Sequence, residues 1–234
     1  MIQSSKFDLS KMNIKKIANS ALQFTIYRLI EILGLIVLVV GILLFLALIS
    51  YSPEDPNFIF PENIKIKNFL GFQGSYISDL FFQSVGFISY LISFTFIFTG
   101  INIFKSKNFF LIIENIFFII LYSVFGSLFL SYFYENAFTL YINGNGGFIG
   151  NYLSVNFLGN LINLNTTIAY YFLIIIILGL FLVSINFNPK KFISFLKKII
   201  YYFNENNNKS YTNKNEVISE YIPQDEIKNI IQDD

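Results

Sequence analysis

The tightest constraint on this chain is the run Leu29–Ile49, LIEILGLIVLVVGILLFLALI, twenty-one residues with a single charge, Glu31. As a helix rising 1.5 Å per residue it is about 30 Å long, the thickness of a bilayer's hydrocarbon core. Three further apolar runs follow, at about 80–103, 109–132 and 168–187. The expected fold is therefore an all-α membrane protein with four transmembrane helices. Composition leaves little room for a soluble alternative. The 234 residues are 54% hydrophobic and 13% charged, against about 25% charged in an ordinary globular domain. A soluble domain of this size cannot hide that much apolar surface from water.

The first run is read as an uncleaved anchor. A polar lead of 28 residues precedes it, and its core is longer than that of a signal peptide. The chain leaves it through Ser50, Tyr51, Ser52 and Pro53, which is no small-residue cleavage site. Within the run, Gly34 and Gly41 lie seven apart, on one helical face that admits close approach of another helix. Glu31 is expected in the first turn of the span, where headgroup water and the helix dipole favour a carboxylate.

Taken in order, residues 1–28 form a basic lead, with Lys6, Lys11, Lys15, Lys16 and Arg28 against Asp8. Residues 14–27 suit either a short interfacial helix or a flexible, positively charged lead. SYSPEDPNF, 50–58, stops the first span, because two prolines and two acids cannot continue a buried helix. A polar loop to about Ser75 is expected, with an amphipathic element around 63–70. Asp79 then reads as an interfacial N-cap of the second span. That span carries Gln83, Ser84, Gly86, Ser89, Ser93, Thr95 and Thr99, which suit a face packed on other helices. The turn FKSKN, 104–108, makes spans two and three a hairpin. Glu114 and Asn115 sit about a turn and a half into span three, and Glu114 is expected to pair with Lys105 or Lys107 or to mark a polar contact with a neighbouring helix.

From Phe133 to about Thr167 there is no Lys or Arg. The centre is NGNGGFIGNYLS, whose glycines lack the order and the following Lys-Ser or Lys-Thr of a phosphate-binding loop. Residues 148–164 suit a re-entrant or interfacial element, or a simple loop. Beyond the fourth span, 190–203 is a basic, aromatic, amphipathic segment, and 204–234 is an acidic, Asn-rich linker or disordered tail. The organisation is thus a lead (1–28), a transmembrane domain (29–189), a surface segment and a tail. Eleven basic residues flank one side of the spans, at 6–28, 105–107 and 190–198, against Lys65 and Lys67 on the other. The bias places both termini in the cytoplasm.

Chemistry is sparse. With no cysteine and no histidine, disulfides, thiolate or imidazole metal ligation and histidine acid–base catalysis are excluded. No nucleophile motif and no intramembrane row of carboxylates is present. No catalytic residue, metal or cofactor is expected.

Three motifs carry a family likeness. SYSPEDPNF resembles the S-Y-x-P-x-D-P signature of the N-terminal membrane domain of FtsK/SpoIIIE-type DNA translocases, through Ser50, Tyr51, Pro53, Asp55 and Pro56. NFLGFQGSYISDLFFQSVGFISYLI, 68–92, resembles the same domain's second pattern, through Asn68, Gly71, Gly74, Asp79, Gly86 and Tyr90. GNGGFIG, with Gly144, Gly146, Gly147 and Gly150, resembles its glycine-rich second outer loop. The likeness implies that these residues have structural or partner-contact roles.

It also implies an inner-membrane protein of bacterial cell division that anchors and scaffolds a chromosome-segregating DNA pump at the septum. The implied partners are membrane lipid, other division proteins, further copies of the chain and a separate translocase motor. The chain ends at Asp234 with no Walker motif. The expectation is therefore anchoring without motor activity, ATP hydrolysis or direct nucleic-acid binding. The rival readings are a small four-span transporter or channel subunit using Glu31, Glu114 and the span-two hydroxyls, and a membrane enzyme acting on lipid.

Overall fold

The protein is described from a computed structural model over residues 4–56, 65–135 and 143–190, and over 192–194, 196–198 and 200–202. Among these residues every regular element is helical: α1 (Ser4–Ile49), α2 (Gly71–Val85), a single 3₁₀ turn (Gly86–Ile88), α3 (Ser89–Ser106), α4 (Leu111–Phe133), α5 (Gly147–Val155), α6 (Phe157–Leu164) and α7 (Thr166–Ser184). Four stretches are long and apolar enough to cross a membrane: Lys16–Ile49, Gly71–Ser106, Leu111–Phe133 and Thr166–Ser184.

α1 is one helix of 46 residues, about 69 Å long. The basic lead is neither a separate interfacial helix nor a flexible arm over 4–28. No glycine or proline stands before Gly34 to interrupt it. The helix stops where Ser50 Oγ turns back to donate to the Leu46 carbonyl (2.7 Å) and Pro53 follows.

The second span starts earlier than hydropathy indicates. Residues 65–70, the described part of the expected amphipathic element, form no helix, and α2 begins at Gly71. Its first residues, Gly71, Gln73, Gly74 and Ser75, read as loop because they are small or polar. Gly74 and Ser75 are in fact buried against the preceding segment. The span breaks at Gly86 (φ +65) and resumes as α3. α3 ends at Lys107, itself in the left-handed region (φ 56). Asn108 Oδ1 then accepts the Phe110 N–H (3.0 Å) at the start of α4.

The glycine face of α1 packs on α3. A Cβ on Gly34 would meet the Gly100 carbonyl at 3.0 Å, and one on Gly41 would meet the Ile97 nitrogen at 2.7 Å. One apolar cluster joins Leu44 and Leu48 of α1 to Phe82, Val85, Ile88, Ile92 and Tyr122. A second joins Leu128, Ile162, Leu173 and Ile177.

Several polar side chains inside the spans bond to one another across helices, although the buried Ser123 Oγ has no partner among the described residues. Thr95 Oγ1 lies 3.0 Å from Tyr122 OH and 3.1 Å from Ser184 Oγ, tying α3, α4 and α7 together. Asn115 Nδ2 donates to Thr99 Oγ1 (2.7 Å). A buried hydroxyl or amide in this setting holds helices together only when paired, and these are.

Residues Asn188–Asp234 form a separate unit. Its described part, within 189–202, is helical. The tail expected over 204–234 lies outside the described residues.

Candidate functional site

All fifteen motif residues lie in or beside the loops at one end of the bundle, here the loop end, where α1 stops, α2 and α7 start and α4 stops. The opposite end, with the α3–α4 hairpin, is the turn end.

The first loop is built around Asp55. Its side chain is 1% exposed, and its two oxygens accept the Lys67 and Asn68 backbone N–H groups, both at 2.8 Å. A carboxylate serves here because it offers acceptors in two directions and no donor. Asn68 then spends its amide on both neighbours. Nδ2 donates to the Ala47 carbonyl on α1 (2.9 Å) and reaches Ser78 Oγ on α2 (3.5 Å). Oδ1 accepts the Leu70 N–H (3.1 Å). Ser50 Oγ accepts the Phe69 N–H (3.1 Å), and Ser75 Oγ donates to the Pro56 carbonyl (2.9 Å).

Gly74 has to be glycine, since a Cβ would stand 2.1 Å from Asn68 Oδ1. Gly71 has φ +66, the left-handed backbone that lets the chain turn into α2.

Tyr51 and Tyr90 tie this loop to the helices. Tyr51 OH donates to Asp79 Oδ1 (3.1 Å), and its ring packs on Phe82 at 4.7 Å between centroids. Burial, then the charge of Asp79, push the Tyr51 phenol well above its ordinary range. Tyr90 OH donates to the Leu48 carbonyl (3.1 Å). Asp79 is therefore not the N-cap expected from the sequence. It lies inside α2, because the helix starts eight residues earlier, at Gly71. Its carboxylate accepts from Tyr51 and, at 3.4 Å, from Gln83.

The glycine-rich loop docks on the break in the second span. The Asn145 carbonyl accepts the Phe87 N–H (3.0 Å), the donor freed by the break. At Gly86 a Cβ would lie 1.9 Å from that carbonyl oxygen, and at Gly147 (φ +63) 2.7 Å from the Gly86 nitrogen. A Cβ on Gly146 or Gly150 would come within 2.1 Å of the Ser127 carbonyl on α4. Ser127 Oγ in turn donates to the Val85 carbonyl (2.9 Å). Gly144 (φ +72) is the open one, with nothing within 4 Å of its Cβ position.

The two loops are joined by residues that no motif reading singled out. Asn143 Nδ2 donates to Gln83 Oε1 (3.0 Å), and Gln83 reaches Asp79 and so Tyr51. Asn145 Nδ2 donates to the Tyr134 carbonyl and, at 3.2 Å, to that of Glu135. Only their placement signals them in the sequence, Asn143 beside a glycine and Asn145 between two, and nothing signals Ser127.

Among the described residues no group of three or more Asp or Glu is placed to hold a metal. Asp55 and Asp79 are occupied in holding backbone and tyrosine. Among the described residues of the first loop, Lys65, Phe69 and the Glu54–Lys67 ion pair are exposed, and each partner of the pair stabilises the charge of the other.

The carboxylates of the spans also depart from expectation. Glu31 is far from any helix terminus, since α1 starts at Ser4. Arg28 (2.5 Å) and Lys107 (3.0 Å) both pair with it at the turn end. Lys107 is thus taken by Glu31 and not by Glu114. Glu114 is exposed on α4, with no ion pair among the described residues.

The sequence model of one family, the 4TM region of the DNA translocases FtsK/SpoIIIE, matches residues 27–197. The chain belongs to that family. No curated protein and no solved structure matches it. The matched residues take in all four candidate spans from Tyr27 onward and both loops of the loop end, so the interlocked loop end belongs to the FtsK/SpoIIIE-type membrane region. With its four apolar helices the chain is a multi-pass membrane protein.

Proposed function

We propose that this FtsK/SpoIIIE-type membrane region is the anchor and scaffold of a cell-division DNA translocase at the inner membrane of the septum. The observation that carries the reading is the convergence of three separate motifs into one hydrogen-bonded assembly without catalytic groups. Such an assembly fixes backbone shape, which is what a contact surface requires. The charge bias favours the loop end as the outer end, with both termini in the cytoplasm. The outer loops then face other division proteins, and the cytoplasmic side faces a translocase motor. Neighbouring copies of the chain and the surrounding lipid complete the set of partners.

The transporter reading is weaker. The hydroxyls and amides of the spans, Thr95, Thr99, Asn115, Tyr122 and Ser184, bond to each other across helices, which is packing chemistry and not an open polar path. A fluorescent fusion to the full chain, imaged in dividing cells, tests the proposal. Enrichment at the septum is expected. A uniform ring of membrane fluorescence through division would overturn the anchor role, and altered ion flux in Glu114→Gln vesicles would favour the transporter.

A further inference from the structure

α5 has two unlike faces. One is made of Gly147 and Gly150, buried against α2 and α4 as described above. The other carries Phe148, Tyr152 and Val155, spaced four and three residues apart on one side of the helix. They are 61%, 61% and 77% exposed. The rings of Phe148 and Tyr152 stack at 6.2 Å between centroids. Neither α5 (GFIGNYLSV) nor α6 (FLGNLINL) contains a charged residue. Between Phe133 and Thr167 only Glu135 is charged.

The height of α5 is set by what it touches. Gly150, with Gly146 just before the helix, rests on the Ser127 carbonyl, six residues before Phe133 at the end of α4, hence about 9 Å below that end. Leu153 packs on the cluster containing Leu128 and Leu173, and Leu173 is seven residues inside α7, about 10 Å along it. At that depth α7 itself exposes Tyr171 and Phe172, as a lipid-facing helix does. An apolar row at the same depth, without a charge nearby, matches the boundary between headgroups and acyl chains. Helices lying in that layer sink their apolar face about 5–10 Å.

We infer that α5 is an interfacial helix, with Phe148, Tyr152 and Val155 inserted among the lipid acyl chains of the leaflet at the loop end. Its glycine face is locked to the bundle, so α5 itself is held in the membrane and not above it.

The chain contains no tryptophan, so one introduced indole reports without background. Val155→Trp and, independently, Phe148→Trp are placed in the full chain, purified and reconstituted in phosphatidylcholine vesicles. Leu178→Trp on the exposed side of α7 is the lipid reference, and Glu54→Trp the aqueous one. The inference predicts blue-shifted emission at 155 and 148, strong quenching by lipids brominated on the acyl chain near the headgroup, and little quenching by iodide. Emission resembling Glu54→Trp, quenched by iodide and not by brominated lipid, overturns it. Iodide access in vesicles but protection in native membranes also overturns it, in favour of a protein covering α5. Should Val155→Trp fail to fold, Phe148→Trp reads the same row about two turns away.

Discussion

The two ends of the bundle are held by different chemistry. At the loop end, side chains bond to backbone: Asp55 to two N–H groups, Asn68 to the Ala47 carbonyl, Tyr90 to the Leu48 carbonyl and Ser127 to the Val85 carbonyl. Glycines let the backbones touch. Towards the turn end Gly34 also packs on Gly100 and Asn102 Nδ2 donates to the Ile185 carbonyl (3.1 Å). The hairpin itself, however, is tied to α1 by charge, through Lys107 and Glu31, which Arg28 of α1 also meets, with Lys107 over the Tyr27 ring at 5.7 Å. The first arrangement is buried, directional and intolerant of small displacements. The charge pairing has exposed cations, is weakly directional and is open to screening. The contrast teaches where shape is fixed in this protein, and it can be broken at either end.

The largest effect is expected at Gly86. Its backbone is left-handed and a Cβ would sit 1.9 Å from the Asn145 oxygen, so Gly86→Ala must push the glycine loop off the helix break. A loss of more than about 3 kcal/mol is expected, read as a drop in unfolding temperature in detergent. Gly144→Ala, equally left-handed but with nothing within 4 Å, should cost only the backbone strain, about 1 kcal/mol. Equal losses at the two positions would mean that the glycine loop is not docked.

Asp55→Ala comes next. It strands two backbone N–H groups, at a cost of about 3 kcal/mol, and should leave the loop around 65–70 open to protease while the spans stay intact.

Tyr51→Phe sharpens the comparison through pH. The folded protein raises the Tyr51 pKa above its ordinary 10.0, so folding favours the protonated phenol. That stabilisation is complete below pH 10 and is lost as pH rises through the folded pKa. Stability of the unaltered protein should therefore fall more steeply above pH 10 than that of Tyr51→Phe, whose deficit at neutral pH is about 1 kcal/mol. Parallel alkaline profiles would show that Tyr51 is not buried beside Asp79.

The smallest effect is expected at the turn end. Glu31→Gln should shift the unfolding temperature less than any loop-end variant, and the shift should shrink further in high salt.

The spans were legible in the sequence because a run of twenty apolar residues has one economical fate, and Gly34 and Gly41 marked the face of α1 that α3 covers. The loop end was legible only as a set of motifs. Nothing local distinguishes Gly71–Asp79 from a polar loop. Its small and polar residues become helical because Asn68, Tyr51 and the Pro56 carbonyl, brought from other segments, satisfy them. Asp79 was misread as a cap for that reason. Glu31 was misread because the helix continues through the basic lead, and its partner Lys107 lies 76 residues away in sequence. Asn143, Asn145 and Ser127 act through contacts that exist only once the second span has broken at Gly86.

The central claim is that residues 50–56, 65–70 and 143–147 form one ordered assembly with the helix ends. Amide hydrogen exchange of the full chain in bilayer discs tests it directly. The account predicts slow exchange at Asn68 and Phe87, whose N–H groups bond to Asp55 and to the Asn145 carbonyl, with protection at Asn68 lost in Asp55→Ala. Exchange at both amides in the unaltered protein as fast as in an unstructured peptide would contradict it.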